Sequence, residues 1–189
     1  YFLSINNYAA APTHDEVMSS SKQRSLSHAY LASVSFVDHC VGIVLNALTS
    51  SPHNENTLIV LWSDHGFHLG EQGLWTKANN FELSTRVPLI VSAPGQPHEK
   101  TDALVELVDV FPTVCELAGL TPPNGLEGVS LLPLFSDPGR KWKTAVFSQY
   151  PRSLKGNRHS RHGDVMGYSL RTKRYRYVEW QNWKTKAVV

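Results

Sequence analysis

The sequence predicts an α/β fold, in which helices cover a sheet, followed by a small antiparallel unit. Between residues 21 and 48, apolar side chains recur at the three-four spacing of one helix face, which we expect to be buried. Residues 57–62 are apolar on both faces, which is typical of a central parallel strand covered by helices. From residue 144 onwards the pattern changes to short strands. Together these observations predict a helix-covered sheet with an antiparallel extension.

Length and composition are those of a packed globular protein. The chain has 189 residues, of which 41% are hydrophobic and 18% charged. Its formal net charge of +2 is small and the basic residues are scattered, so we expect no nucleic-acid partner. The apolar runs fall far short of the ~20 residues of a membrane span, so we expect no transmembrane segment. Cys40 and Cys115 lie in apolar helical patterns and are predicted to be buried free thiols, with a disulfide as the alternative.

Caps and breakers set the predicted element boundaries. Ser21 is a candidate cap for the first helix, and Gly119 ends a later one. In chain order the sequence predicts a helix over residues 21–48, a strand over 57–62, a glycine-punctuated loop over 63–86, a strand over 87–91, a helix over 109–118 capped by Asp109, and a short helix over 131–135. A connection as long as 63–86 inside a compact domain is usually functional.

The pattern in the last part of the chain predicts an antiparallel unit. Strands are predicted over residues 145–150, 168–172 and 175–180, the last two forming a hairpin. A basic loop containing histidines separates the first strand from the second. We place a boundary near residue 140, which divides the chain into residues 1–140 and residues 141–189.

The long loop carries the residues with the clearest chemistry. Asp64 and His65 follow directly on the apolar strand, and Gly66 allows the backbone to turn there. A carboxylate oxygen and an imidazole nitrogen are both ligands for divalent cations. Lys77 offers a cation to an anionic substrate oxygen, and the loop glycines would let it fold back toward the pair. Because substrates of open α/β sheets bind outside the carboxyl ends of the strands, we expect a cation and oxyanion pocket here.

Each of these residues also has a structural interpretation. Asp64 can cap the loop, His65 can be a surface histidine, and Lys77 can be a solvated lysine. His68 and Glu71 can orient a ligand or support the loop. Three further candidates stay open: Arg171 as an internal anchor or an anion contact, and Arg161 and His162 as residues that overhang a pocket.

At these residues the chain resembles the sulfatase family of the alkaline phosphatase superfamily, in particular its iduronate-2-sulfatase branch. The matching stretches are residues 29–38, 63–66, 75–77, 87–90, 107–113, 148–152 and 166–172. Their order and spacing together are specific, although no single stretch is. The resemblance implies an alkaline-phosphatase-like mixed or parallel sheet flanked by helices, with a small antiparallel C-terminal subdomain.

The resemblance also implies roles for the loop residues. Asp64 matches the acid that binds a divalent cation, usually calcium, and His65 matches its neighbouring ligand or a sulfate contact. Lys77 matches the catalytic lysine that holds the sulfate. In such enzymes a metal-bound formylglycine hydrate attacks sulfur, the alcohol leaves, and sulfate is then released. The implied substrate is a sulfated carbohydrate such as a glycosaminoglycan, and the implied location is periplasmic, secreted or lysosomal.

The family nucleophile is absent from the chain. It is made from a Cys-x-Pro-Ser-Arg stretch, whereas Cys40 precedes Val-Gly-Ile and Cys115 precedes Glu-Leu-Ala. We therefore expect a fragment, the C-terminal half of the catalytic domain and the start of the subdomain, which is inactive without the missing N-terminal half. Two alternatives stay open. One is a phosphonate or phosphate monoester hydrolase of the same superfamily, and the other is a non-catalytic metal- or glycan-binding module.

Overall fold

The structure of the protein is a computed structural model that describes residues 18–152 and 164–189. Its helices and strands are α1 (Ser20–Thr49), β1 (Ile59–Trp62), β2 (His68–Leu69), β3 (Trp75–Thr76), α2 (Glu82–Thr85), β4 (Leu89–Ser92), α3 (Val110–Leu117), α4 (Leu132–Ser136), β5 (Ala145–Arg152), β6 (Val165–Thr172) and β7 (Arg176–Asn182). All predicted helices and strands are present, with ends shifted by a few residues. Most of the predicted basic loop lies outside the described residues.

Helix α1 forms as predicted, but its apolar face is exposed. The cap is Ser19 rather than Ser21, because the Ser19 hydroxyl accepts a hydrogen bond from the Lys22 amide at 3.3 Å. No residue of α1 is fully buried, and Val37 and Val44 are 58% and 67% exposed. The prediction of a buried face is therefore wrong for the part of the chain that the structure describes. In its N-terminal half, α1 contacts the loop through Tyr30, which stacks on Phe67 with ring centroids 5.0 Å apart.

By length and composition alone, α1 qualifies as a helix that could cross a membrane. Core helices of larger soluble domains meet the same two criteria. Asp38 lies near the middle of α1, where a charge would be costly in a bilayer. The expected absence of a transmembrane segment remains a prediction.

Strand β1 pairs with β4 in an antiparallel register, with Val60 opposite Val91. The expected parallel neighbour is therefore absent from the described residues, and this part of the prediction is wrong. A parallel neighbour needs a long crossover connection, usually a helix, whereas the only α-helix between β1 and β4 is the single turn α2. The antiparallel pair is compatible with a mixed sheet.

The loop after β1 has an ordered core of its own. Strands β2 and β3 pair, so that Leu69 lies opposite Trp75. The side chain of Trp75 is 4% exposed and packs with Met18, against which Leu26 of α1 also lies. This apolar contact attaches the loop to the first turns of α1.

A buried carboxylate organises the start of α3. Asp109 is 0% exposed and occupies the N-cap position of α3, as predicted, but its side chain makes no capping hydrogen bond to that helix. Instead, its carboxylate accepts hydrogen bonds from the amides of Glu106 at 2.9 Å and Val129 at 2.8 Å. The Lys143 ammonium lies 2.7 Å from Asp109 and 2.8 Å from Glu106. This ion-pair cluster holds three separated segments of chain together.

The C-terminal strands form an antiparallel sheet in the order β5-β6-β7, as predicted. A tight turn joins β6 to β7, where the Thr172 amide donates to the Tyr175 carbonyl at 2.8 Å. Strand β5 is tied to the preceding segment by the Phe147 amide, which donates to the Glu106 carboxylate at 2.8 Å. Cys40 and Cys115 are free and half-buried, so the disulfide alternative is wrong.

We predict that replacing Lys143 by methionine destabilises the fold by about 3 kcal/mol or more, because Asp109 would become an unpaired buried charge. Burial alone would lower the pKa of Lys143, but the hydrogen bonds to Asp109 and Glu106 outweigh it and raise that pKa. The contribution is therefore fully present below the ordinary lysine value and is lost only as the pH rises above it. Urea unfolding at pH 7 measures the effect.

The matched control is Lys141→Met, at an exposed lysine two positions away. We expect its unfolding midpoint to stay close to that of the parent. Equal midpoints for both variants would show that Lys143 does not compensate Asp109.

Candidate active site

The candidate site begins where β1 ends. Asp64, His65 and Gly66 form a turn just beyond Trp62, and the Ser63 hydroxyl steadies it by donating to the His65 carbonyl at 2.6 Å. The turn directs the aspartate and histidine side chains to the same place, since His65 Nε2 lies 3.4 Å from Asp64 Oδ2. The expected convergence of two neighbouring side chains therefore occurs at this strand end.

Gly66 is required by a close backbone approach. Its amide donates to the Ser84 carbonyl at 2.9 Å. A Cβ at this position would lie 2.0 Å from the Leu83 carbonyl oxygen, far inside van der Waals contact. The contact joins the beginning of the long loop to α2 near its end, so the loop folds back on itself.

The third predicted residue reaches the same place. The Lys77 ammonium contacts His65 Nε2, and His65 Nδ1 lies 2.9 Å from the Gly66 carbonyl. Because that carbonyl can only accept, Nδ1 carries the proton and Nε2 is the acceptor for Lys77. The structure thus brings Asp64, His65 and Lys77 together, as the loop hypothesis required.

Left-handed backbone positions fold the segment that carries Lys77. Gly70 and Gly73 have φ angles of 117° and 69°, so the predicted role of these glycines in folding the loop is supported. Thr76, immediately before Lys77, has a φ angle of 70°. This conformation is a genuine outlier for a β-branched residue. It turns the chain directly before the lysine.

The residues of the site offer an incomplete set of metal ligands. The Asp64 side chain is 79% exposed, so its carboxylate is open to a cation. The His65 ring is already engaged through both nitrogens, by Gly66 and Lys77. In residues 18–152 and 164–189 no group of three or more candidate ligands converges, whereas Ca²⁺ takes six to eight oxygen ligands. Asp64 offers one exposed oxygen donor of the several that such a cation takes.

Beyond Lys77 the loop is held against the C-terminal sheet. The Asn80 side chain donates to the Gly167 carbonyl at 2.8 Å, and an Arg152 guanidinium nitrogen donates to the Ala78 carbonyl at 2.9 Å. The Arg176 side chain donates to the Asn80 carbonyl at 3.1 Å. These bonds attach Ala78 and Asn80, two of the three residues that follow Lys77, to strands β5, β6 and β7.

Glu82 completes this attachment through two arginines. Arg171 Nε and Arg176 Nε each lie 3.0 Å from Glu82 Oε2. Partial burial would raise the pKa of Glu82, but the hydrogen bonds and charges of Arg171 and Arg176 outweigh it and lower that pKa. Of the two roles left open for Arg171, the structure supports the internal anchor.

The remaining histidine and glutamate of the loop have structural contacts. His68 is 1% exposed, and its Nε2 lies 3.3 Å from the Asn79 side-chain oxygen. The Glu71 carboxylate accepts from the Leu69 amide at 2.7 Å. Both contacts favour the loop-supporting interpretation. Arg161 and His162 lie outside the described residues.

Sequence reasoning missed Asn80, Glu82 and Arg176. Their partners are 87 to 96 positions away in the chain, so no local spacing connects them. The one available signal was the pairing of an acid in the loop with an arginine-rich hairpin at residues 171–176, and that pairing has many alternatives.

Comparison with known proteins identifies the family. The Sulfatase family profile matches residues 4–120. The chain belongs to the sulfatase family. A second profile, N-sulphoglucosamine sulphohydrolase, C-terminal, matches residues 70–187, which include Lys77 and the whole C-terminal sheet.

Curated relatives extend well beyond this chain. A sulfatase of Formosa agariphila is 35% identical over 181 residues, which cover 95% of this chain and 33% of that protein. Iduronate 2-sulfatase of Mus musculus is 35% identical over 84% of this chain and 38% of its own length. This sulfatase chain therefore spans about a third of the length of the curated relatives it matches.

Solved structures share the fold. One is a protein in complex with its substrate D-glucosamine-2-N,6-O-disulfate, with a TM-score of 0.67 at 29% identity over 86% of this chain and 35% of that one. Another is a phosphonate monoester hydrolase of Agrobacterium radiobacter, with a TM-score of 0.77 at 24% identity over 95% of this chain and 39% of that one. The predicted α/β fold of the alkaline phosphatase type, present here in part, is thereby confirmed.

We predict that Gly66→Ala destabilises the fold by about 2 kcal/mol or more, because its methyl group would collide with the Leu83 carbonyl. The control is Gly42→Ala in α1, where a Cβ meets nothing within 4 Å. Alanine there is expected to stabilise by about 0.5–1 kcal/mol, through helix propensity. Thermal unfolding of both variants measures the two opposite shifts, and a Gly66 variant as stable as the parent would contradict the close approach.

The ion pairs of Glu82 predict a pH-dependent stability. Since its pKa is lowered in the folded state, the stabilisation is present above the ordinary glutamate pKa of about 4.3 and is lost as the pH falls through the lower folded value. We expect Glu82→Gln to be less stable than the parent at pH 7, and the difference to shrink below about pH 4. Unfolding curves between pH 3.5 and 7 measure this difference.

The control for this prediction is Glu127→Gln, at an exposed glutamate. The difference in its free energy of unfolding from the parent is expected to be small at pH 7 and nearly constant with pH. A Glu82 variant with the same flat profile would show that the arginine contacts contribute nothing to folding.

Proposed function

We propose that this chain is part of a sulfatase that hydrolyses a sulfate ester of a sulfated carbohydrate. The observation that carries the proposal is the contact of the Lys77 ammonium with His65, beside the exposed carboxylate of Asp64, at the end of β1. A cation-binding acid next to a lysine suits a substrate whose reacting group is an anion. Family membership and the relatives that are named as sulfatases support the reaction class.

In this proposal Asp64 holds the divalent cation, for which we propose Ca²⁺. Its carboxylate is a hard oxygen donor and is open to an ion. His65 is proposed as the neighbouring ligand or a sulfate contact. Either role would use Nε2 and would require it to exchange Lys77 for the ion or the sulfate, because Nδ1 is held by the Gly66 carbonyl. The cation, when bound, stabilises negative charge on the oxygens around it.

Lys77 is proposed as the catalytic residue that binds the sulfate oxygens. Its ammonium has hydrogen-bond donors to share between His65 and an oxyanion. A fixed positive charge beside the reacting sulfate stabilises the charge that develops during ester cleavage. The strained turn at Thr76 supports this role, because unfavourable backbone conformations concentrate at functional sites.

The nucleophile is proposed to be a formylglycine in an N-terminal half outside this chain. That half would also complete the cation site and cover the apolar face of α1, where Phe36 is 68% exposed and Val44 67% exposed. We propose residues 1–140 as the C-terminal half of the catalytic domain, and residues 141–189 as the start of the smaller subdomain. We propose that the chain is inactive when it is alone. Its family suggests an extracytoplasmic location, and we propose neither a membrane span nor a nucleic-acid partner.

The other hydrolase candidate is phosphonate or phosphate monoester hydrolysis. The solved phosphonate monoester hydrolase resembles this chain at 24% identity, a likeness that extends to the fold alone. The sulfatase proposal is better supported, because the relatives at 35% identity are named as sulfatases. The binding-module alternative depends on the absence of a nucleophile from the whole protein. Reading the gene upstream of Tyr1 for Cys-x-Pro-Ser-Arg tests that alternative directly.

We predict that Asp64→Ala and Lys77→Ala in the whole protein each lower kcat/KM for sulfated monosaccharides by about a hundredfold or more. Asp64→Ala should also abolish Ca²⁺ binding in calorimetry, whereas Lys77→Ala should leave it intact. The matched controls are Asp102→Ala and Lys100→Ala, at exposed residues of the same charges. Retained activity in Asp64→Ala removes Asp64 from the site, and faster turnover of phosphonate monoesters than of sulfate esters overturns the reaction class.

A further inference from the structure

We propose that the C-terminal sheet positions Lys77. Asn80 and Arg176 would do so by fixing the backbone that follows the lysine against the sheet. The proposal rests on the function proposed for Lys77. Four side chains, together called the Lys77 clamp, connect the segment after the lysine to the sheet: Asn80, Glu82, Arg152 and Arg176. None of them touches the candidate site itself in the described structure, so each would act through Lys77.

The clamp fixes backbone rather than packing side chains. Its bonds reach the carbonyls of Ala78 at 2.9 Å, Asn80 at 3.1 Å and Gly167 at 2.8 Å. Main-chain atoms held in this way define where the neighbouring Cα atoms lie. Ala78 is the next residue after Lys77, so the first of these bonds acts one peptide unit from the lysine.

The asparagines after Lys77 are buried, whereas the lysine that they would position is exposed. Asn79 and Asn80 are 6% and 2% exposed, whereas Lys77 is exposed. Polar side chains are costly to bury, and they are retained only where each finds a partner. A loop needing only stability would gain more from apolar residues here. An exposed amine that is followed in the chain by buried amides that hold main chain is the arrangement expected of a positioning device.

The backbone conformation before Lys77 needs such a device. Thr76 has a φ angle of 70°, which a β-branched residue adopts only when the surrounding structure enforces it. On one side, the β2–β3 pairing holds Thr76 opposite His68. On the other side, the clamp holds Ala78 and Asn80. The lysine is the one residue between the two restraints, and its direction follows from both.

The sheet is shaped to receive the loop. A Cβ on Gly167 would lie 2.8 Å from the Asn80 side-chain nitrogen and 2.7 Å from the Trp180 ring. Arg152 lies over the same Trp180 ring, 5.3 Å from its centroid. Arg176 forks between Glu82 and the Asn80 carbonyl, a geometry that the single ammonium of a lysine does not reproduce. The contact is therefore specific to these side chains and not a general apolar junction.

The test is a double-mutant cycle in the whole protein. Asn80→Ala and Arg176→Lys are each made with Lys77 present and with Lys77→Met, and Arg174→Lys on the same hairpin is the control. We expect each clamp variant to lower kcat/KM about tenfold or more when Lys77 is present, and by less than about twofold in Lys77→Met, because coupled residues are not additive. The inhibition constant of inorganic sulfate should rise in parallel, while the Ca²⁺ dissociation constant and the Arg174→Lys kinetics stay unchanged.

A purely structural clamp gives a different result. It would lower kcat/KM by the same factor in both backgrounds and would weaken Ca²⁺ binding as well, and either outcome overturns the inference. Arg176→Lys keeps the charge and is the milder change, so it decides the matter if Asn80→Ala fails to fold. If Lys77→Met loses activity while the clamp variants keep theirs, the clamp proposal is refuted and the proposed role of Lys77 stands. Unaffected activity in Lys77→Met instead refutes the proposed role of the lysine.

Discussion

The close contact between Gly66 and α2 is the constraint on which the candidate site depends. The Gly66 amide donates to the Ser84 carbonyl, and no side chain fits between the two segments. This contact converts residues 63–86 from a long connection into a closed loop with both ends at the edge of the β1–β4 pair. Within this closed loop, the Lys77 ammonium contacts His65. The geometry of the site is thus a consequence of backbone packing as much as of its charged residues.

Two ion-pair networks attach the C-terminal sheet to the rest of the chain, and they differ in consequence. The Asp109–Lys143 cluster surrounds a fully buried carboxylate and stabilises the junction before β5. The contacts of Glu82 with Arg171 and Arg176 lie at the end of the loop that carries Lys77. The first network therefore concerns stability, and the second connects the sheet to the proposed chemistry.

The exposed face of α1 and the incomplete set of ligands have a common interpretation. In each case the described residues form one side of a contact or site and do not supply the other side. Val37 and Val44 are more than half exposed, and Asp64 has only His65 beside it as a further candidate ligand in the described residues. The relatives are about three times as long, and the remainder of a sulfatase domain is the partner proposed above for both surfaces. Apolar area left in water costs free energy in proportion to its extent.

The sequence by itself determined the local elements and indicated the three residues that meet at the candidate site. The spacing in α1, the strand before Asp64, the glycines that fold the loop and the C-terminal hairpin were all predictable, because each depends on neighbouring residues. The exposure of the apolar face of α1, the direction of pairing between β1 and β4, the buried role of Asp109 and the Lys77 clamp were decided only by the tertiary structure. Each of these depends on partners far along the chain or outside it, as with the 94 positions between Glu82 and Arg176. Local pattern records what a residue prefers, whereas the packing of distant segments decides which of those preferences is satisfied.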